Sequence, residues 1–80
     1  MRTISELLGH EDPLVRKMAQ DAVADREAYE RGEITREGYE ALVKQREDLK
    51  ALAEAAGRAE DDQALKVAAQ VVLEFLRAAI

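Results

Sequence analysis

Apolar residues recur along this chain at helical spacing in one short block and three long ones, and each block has its own boundary chemistry. Thr3-Ile4-Ser5-Glu6 has the spacing of a capping box, a hydroxyl followed three residues on by a carboxylate. It opens a short turn over residues 3–8 that Gly9 can close. Asp12-Pro13 is a second start: the aspartate can accept a bond from an orphan amide, and proline has no amide to lose at the first helical position. From there Leu14, Val15, Met18, Ala19, Ala22, Val23 and Tyr29 fall on one arc and predict a helix over 13–31, interrupted by Asp25 and Arg26. Gly32 can take the left-handed conformation that ends a helix, and Thr35 can cap the next one. So short a link favours antiparallel packing of the two helices.

The third helix is expected over 36–56. Tyr39, Leu42, Arg46, Leu49, Ala53 and Ala56 are spaced alternately three and four apart, a coiled-coil-like seam with an arginine in its middle. Gly38 weakens the first turn by ~1 kcal/mol relative to alanine, and nothing in the pattern accounts for it. Antiparallel folding about residues 32–35 places Arg46 near Ala22, within reach of Asp21 or Asp25. The alternative is that its stem covers the core while its head reaches water.

The fourth block changes character. At helical spacing Gln63, Lys66, Gln70, Glu74 and Arg77 occupy an arc of only about 80°, and apolar residues take the rest. A surface helix shows water more than that, so this one, expected over 62–79, needs neighbours on at least two sides. Leu65, Val72 and Leu76 lie near one flank, with Val71 and Phe75 about 100° away, so one group can fill the chain's own core while the other faces a copy. Gly57 is expected to break the chain before it, with Asp61 or Asp62 as the cap; the other possibility is one helix running through Gly57 to Ile80.

Eighty residues make one small all-α domain, an antiparallel helical hairpin or small bundle, near the size where a single core supplies only ~3 to 5 kcal/mol. There is no cysteine, so oligomerisation through the C-terminal helix is the expected source of extra stability. The start of the chain does not read as a signal peptide, and no apolar run is long enough to span a bilayer, which predicts a cytoplasmic protein without a membrane role. Arginine outnumbers lysine eight to four, a hint of a GC-rich bacterial or bacteriophage genome.

The net charge is −5, and most of the excess sits in residues 21–40, where seven acids face three arginines. That balance repels phosphate backbones and disfavours a helical DNA-binding regulator. Glu27, Glu30, Glu33 and Glu37 near the hairpin turn are the candidate partner-facing surface, suited to a basic protein. No catalytic, cofactor or metal site is expected. His10 has no second nitrogen or sulfur ligand, Thr3, Ser5 and Thr35 sit where caps belong, and paired carboxylates such as Asp21 with Asp25 have no pocket around them.

Residues 28–42, AYERGEITREGYEAL, resemble the short helical hairpin called the SHOCT domain through Tyr29, Gly32, Ile34, Thr35, Tyr39 and Leu42. The family usually places an acid where this chain has Gly38. The resemblance implies a small interaction or oligomerisation module with no active site to carry over. The functional expectation is a non-enzymatic protein that homo-oligomerises, an assembly or accessory protein binding itself and another protein. The alternative is a small acidic inhibitor or adaptor occupying a basic site.

Overall fold

The computed structural model describes residues 3–55 and 63–80, with side chains at 3–51 and 65–80. Four helices follow one another: α1 (Ile4–Leu8), α2 (Pro13–Glu30), α3 (Arg36–Ala55) and α4 (Gln63–Arg77), and no strand occurs among the described residues. The fold is all-α.

Local chemistry explains the starts. Thr3 Oγ1 accepts the Glu6 amide at 3.3 Å, and Asp12 Oδ1 accepts the Leu14 amide at 2.9 Å with proline in the first turn of α2. Gly9 closes α1 at φ −100°, a conformation open to any residue, so its left-handed freedom is not used there.

The reversal between α2 and α3 is built more tightly. Arg31 is the C-cap of α2, the Glu33 amide donates to the Ala28 carbonyl at 2.9 Å, and the Gly32 amide donates to the Tyr29 carbonyl at 3.0 Å. Those two bonds make a Schellman closure, which requires positive φ at Gly32, found at 78°. Thr35 Oγ1 then accepts the Gly38 amide at 3.0 Å and starts α3. Gly38 finds its reason here. A Cβ at that position would lie 3.2 Å from both Ile34 Cγ2 and Thr35 Oγ1, so glycine lets the loop lie close over the first turn.

The path from α3 to α4 runs through residues outside the described set, Gly57 among them. Unbroken from 36 to 77, a helix would be about 63 Å long. The longest dimension of the molecule is 38 Å. The helix α4 instead folds back along α3, with Tyr39 meeting Leu76 near the hairpin turn and Lys50 and Ala51 lining a crevice with Gln70 and Leu73 further on.

Both flanks of α4 are filled within the chain. Val71, Val72 and Leu76 are buried in the core, Leu65 and Phe75 pack against it, and α4 meets α1, α2 and α3. Members of both apolar groups thus pack inside the chain, where three helices meet α4. Leu7, Val15, Tyr39 and Leu76 are the largest fully buried side chains, each worth about 1.5–3 kcal/mol of apolar burial.

The heptad seam on α3 is also corrected. Among the described side chains of α3 the buried positions are Tyr39 and Val43, four apart; Arg46 reaches α2, whereas Glu47 and Lys50 turn toward α4. Leu49, expected in the seam, is 60% exposed. Sitting in the angle between α2 and α4, α3 aims its face between them. Ala53 and Ala56 lie outside the described side chains.

Candidate functional site

The last carbonyls of a helix have no partner within it. In α4 they are met by side chains from two other helices. Arg26 of α2 donates from Nη1 to the Phe75 carbonyl at 2.9 Å, and its guanidinium carbon stands 4.6 Å from the centre of the Phe75 ring. Tyr39 of α3 donates its hydroxyl to the Leu76 carbonyl at 2.8 Å. Arg77 pairs with Glu47 of α3.

Tyr39 is fully buried, and its ring stacks on Tyr29 with centroids 4.4 Å apart and planes 17° from parallel. Burial holds its phenol above the ordinary value of 10.0, against the opposing pull of the Arg26 and Arg46 charges. These groups hold the end of α4 against α2 and α3.

The second polar assembly joins α2 to α3. Arg46 Nη2 lies 2.6 Å from Asp25 Oδ2, with both side chains about three-quarters buried at 24% and 28% exposure. Of the two acids within reach in the sequence, Asp25 takes the arginine; Asp21 pairs instead with Lys17 at 3.3 Å, out in solvent. Arg46 Nη1 is buried and has no hydrogen-bond partner.

The four glutamates near the turn, Glu27, Glu30, Glu33 and Glu37, are all exposed. They do not form an unopposed acidic face. Arg31 reaches Glu33 at 2.8 Å and Glu27 at 3.8 Å, and Arg26 reaches Glu30 at 3.5 Å. The hydrogen bond and charge of Arg31 hold the Glu33 carboxyl below its usual range. The surface near the turn is net negative but carries arginines among its glutamates, which a basic partner would meet.

His10 is part of a corner. Its Nδ1 accepts the Asp12 amide at 3.0 Å, while Arg16 donates to the carbonyls of His10 and Glu11 at 2.8 and 3.0 Å. Among the described residues no group of three histidine, cysteine or acidic side chains could hold a metal ion. The crevice between α3 and α4, about 230 Å³ and open to solvent, is lined by Glu47, Lys50, Ala51, Gln70, Leu73 and Arg77. Its Glu47–Arg77 pair neutralises two of the charges a ligand would seek. No described helix is long and apolar enough to cross a membrane.

The remaining feature is apolar. Leu14 is 53% exposed and Leu49 60%. The helical repeat puts Leu14, Met18, Asp21 and Asp25 on the α3-facing flank of α2, and Leu42, Arg46 and Leu49 on the α2-facing flank of α3. The two helices are joined at Tyr29–Tyr39 and Asp25–Arg46, and each carries a leucine left in solvent.

No protein-family profile, curated protein or solved structure matches the chain.

Sequence reasoning treated Asp25 and Arg26 as breaks in the apolar arc of α2, and both have partners across the fold. Two charged residues interrupting an otherwise buried stripe are themselves a signal of buried pairing, since an unpaired charge there is costly. That the acceptors on α4 are main-chain carbonyls is invisible in a sequence.

Proposed function

We propose that this chain is a non-enzymatic helical interaction protein that homo-oligomerises, an assembly or accessory protein that works by binding. The observation that carries this reading is the pair of large apolar side chains left in solvent on the hairpin, Leu14 on α2 and Leu49 on α3. Large apolar side chains left in water on both helices of a hairpin are surface that another chain can cover. The resemblance of residues 28–42 to the SHOCT hairpin supports the same reading, since such hairpins serve as interaction modules. Because α4 is occupied inside the protomer, the copy-facing surface is assigned to Leu14 and Leu49 instead of to Leu65, Val71, Val72, Phe75 and Leu76.

Light scattering coupled to size exclusion, at tens of micromolar, tests the proposal. The wild-type chain is expected to run above its monomer mass of 8.9 kDa, and the double variant Leu14→Gln, Leu49→Gln at that mass with the same helical circular dichroism. A wild type that stays monomeric across the concentration range would overturn homo-oligomerisation.

A further inference from the structure

We infer that His10 is a proton-operated latch for α1: the corner between α1 and α2 is held while the imidazole is neutral and released when it takes up a proton. The latch is the Nδ1 lone pair, which accepts the Asp12 amide at 3.0 Å in a partly buried setting. A protonated imidazole has no lone pair to offer.

The link is short, and the bond ties its two ends. The Gly9 and His10 amides close α1 on the carbonyls of Ser5 and Leu7 at 3.3 and 3.2 Å, and Asp12 caps α2 by accepting the Leu14 amide. His10 joins these two caps. Arg16 adds a fixed positive charge, since its guanidinium donates to the main-chain carbonyls of His10 and Glu11 at 2.8 and 3.0 Å. Protonation of His10 would set a donor against the Asp12 amide and bring a second cation to a corner that already holds a guanidinium.

The other charged groups here are Glu6 on α1, Glu11 and Asp12 in the link, and Lys17 on α2, which pairs with Asp21. On α4, which also packs on α1, Lys66, Glu74 and Arg77 are exposed; Glu74 accepts from Gln70 and Arg77 pairs with Glu47. Carboxylates attract the proton and the guanidinium repels it. Whichever way these balance, the bonded corner requires the neutral ring, so the docking that the bond supports is complete where the ring is neutral and is lost as pH falls through its titration.

What the latch holds is part of the core. The helix α1 contributes fully buried Leu7, with Ile4 packed beside the core, and it meets both α2 and α4. Five residues are too few to stay helical alone, so α1 depends on its docking. The rest of the fold is fastened elsewhere, by Tyr39 on the Leu76 carbonyl, Arg26 on the Phe75 carbonyl and the Asp25–Arg46 pair. Acid should therefore free α1 and uncover the apolar surface beneath Leu7 while α2, α3 and α4 stay in place. The latch works within a single chain and does not depend on self-association.

Nuclear magnetic resonance between about pH 8 and pH 5 follows the single histidine ring, in a window that spans an imidazole titration while carboxylates stay largely ionised. As the ring protonates, the Overhauser contacts of the Leu7 methyl groups with the core and the helical Cα shifts of Ile4–Leu8 should be lost at the ring's own midpoint. Signals of Tyr39 and Leu76 should stay fixed. His10→Asn supplies an acceptor that does not titrate, since asparagine can bond the amide two residues on, and should keep α1 docked through the whole window. His10→Ala should release α1 already at pH 8. Leu7 contacts that survive ring protonation in the wild type, or that fade equally in the Asn variant, overturn the latch; so does an alanine variant whose α1 is docked as in the wild type.

Discussion

The two sides of α3 are built on opposite terms. On the α4 side, Tyr39 and Val43 are buried, a phenol caps the Leu76 carbonyl and Glu47 takes Arg77. On the α2 side, one ion pair and one ring stack join the helices near the turn, and Leu49 lies in solvent. A helix with apolar residues on two flanks can satisfy only one of them fully in a chain of this size. Here α4 wins, because it brings a broader apolar surface together with a C-terminal carbonyl that accepts from a buried tyrosine. The side that loses keeps a surface available for other work.

The sharpest way to break this contrast is at its closed side. Leu76→Ala removes a fully buried side chain where α2, α3 and α4 meet, and should cost about 2–5 kcal/mol, enough to unfold much of so small a domain. Urea denaturation followed by circular dichroism measures it. A loss below about 1 kcal/mol would mean that α4 is not the centre of the core.

Tyr39→Phe acts on the same side with a smaller effect, about 1 kcal/mol, since the Leu76 carbonyl keeps its bond from the Ala79 amide. It carries a pH signature as well. The folded chain holds the phenol protonated above the ordinary 10.0, so between the unfolded and folded values the native state binds the extra proton. The stability this contributes is complete below pH 10 and is lost as pH rises through the folded value. Denaturation curves at neutral and alkaline pH should show the wild type losing more than the Phe variant; equal losses would refute the burial of this hydroxyl.

Gly32→Ala tests the joint between the two sides. Nothing lies within 4 Å of a Cβ there, so the cost comes from positive φ alone, about 1 kcal/mol. Gly32→Asn should recover part of it, as asparagine tolerates that conformation better. At the open side, Leu49→Gln should change the melting midpoint least, by within about 0.5 kcal/mol, because the side chain is already in solvent. Its effect should appear in mass and not in stability. A large destabilisation instead would mean that Leu49 is buried in solution.

The helix boundaries were legible because they depend on a few adjacent residues. Thr3, Asp12 with Pro13, Gly32 and Thr35 each act within one turn, and the bonds they make are local. The reach of Arg46 to α2 was legible too, from register counted across a short reversal. The face of α3 was not. Tyr39 belongs to both of its registers, and the choice between them depends on α4, far along the chain. For the same reason the apolar surplus of α4 did not name its neighbours: periodicity counts how much a helix must bury but does not say which elements arrive. The acidic excess of residues 21–40 was legible as a sum, whereas which arginine sits beside which glutamate was not, since net charge carries no positions.

The tight reversal at Gly32 also carries a consequence for how the chain reaches its fold. Tyr29 and Tyr39 are ten positions apart in the sequence yet stack face to face, across a loop closed by its own main-chain bonds. Little chain entropy is lost in forming that contact, whereas docking α4 closes a loop several times longer. The hairpin is the natural nucleus, and α4 the last element to dock. Mutations should then divide by rate: Gly32→Ala slows refolding with little change in the unfolding rate, and Leu76→Ala chiefly speeds unfolding.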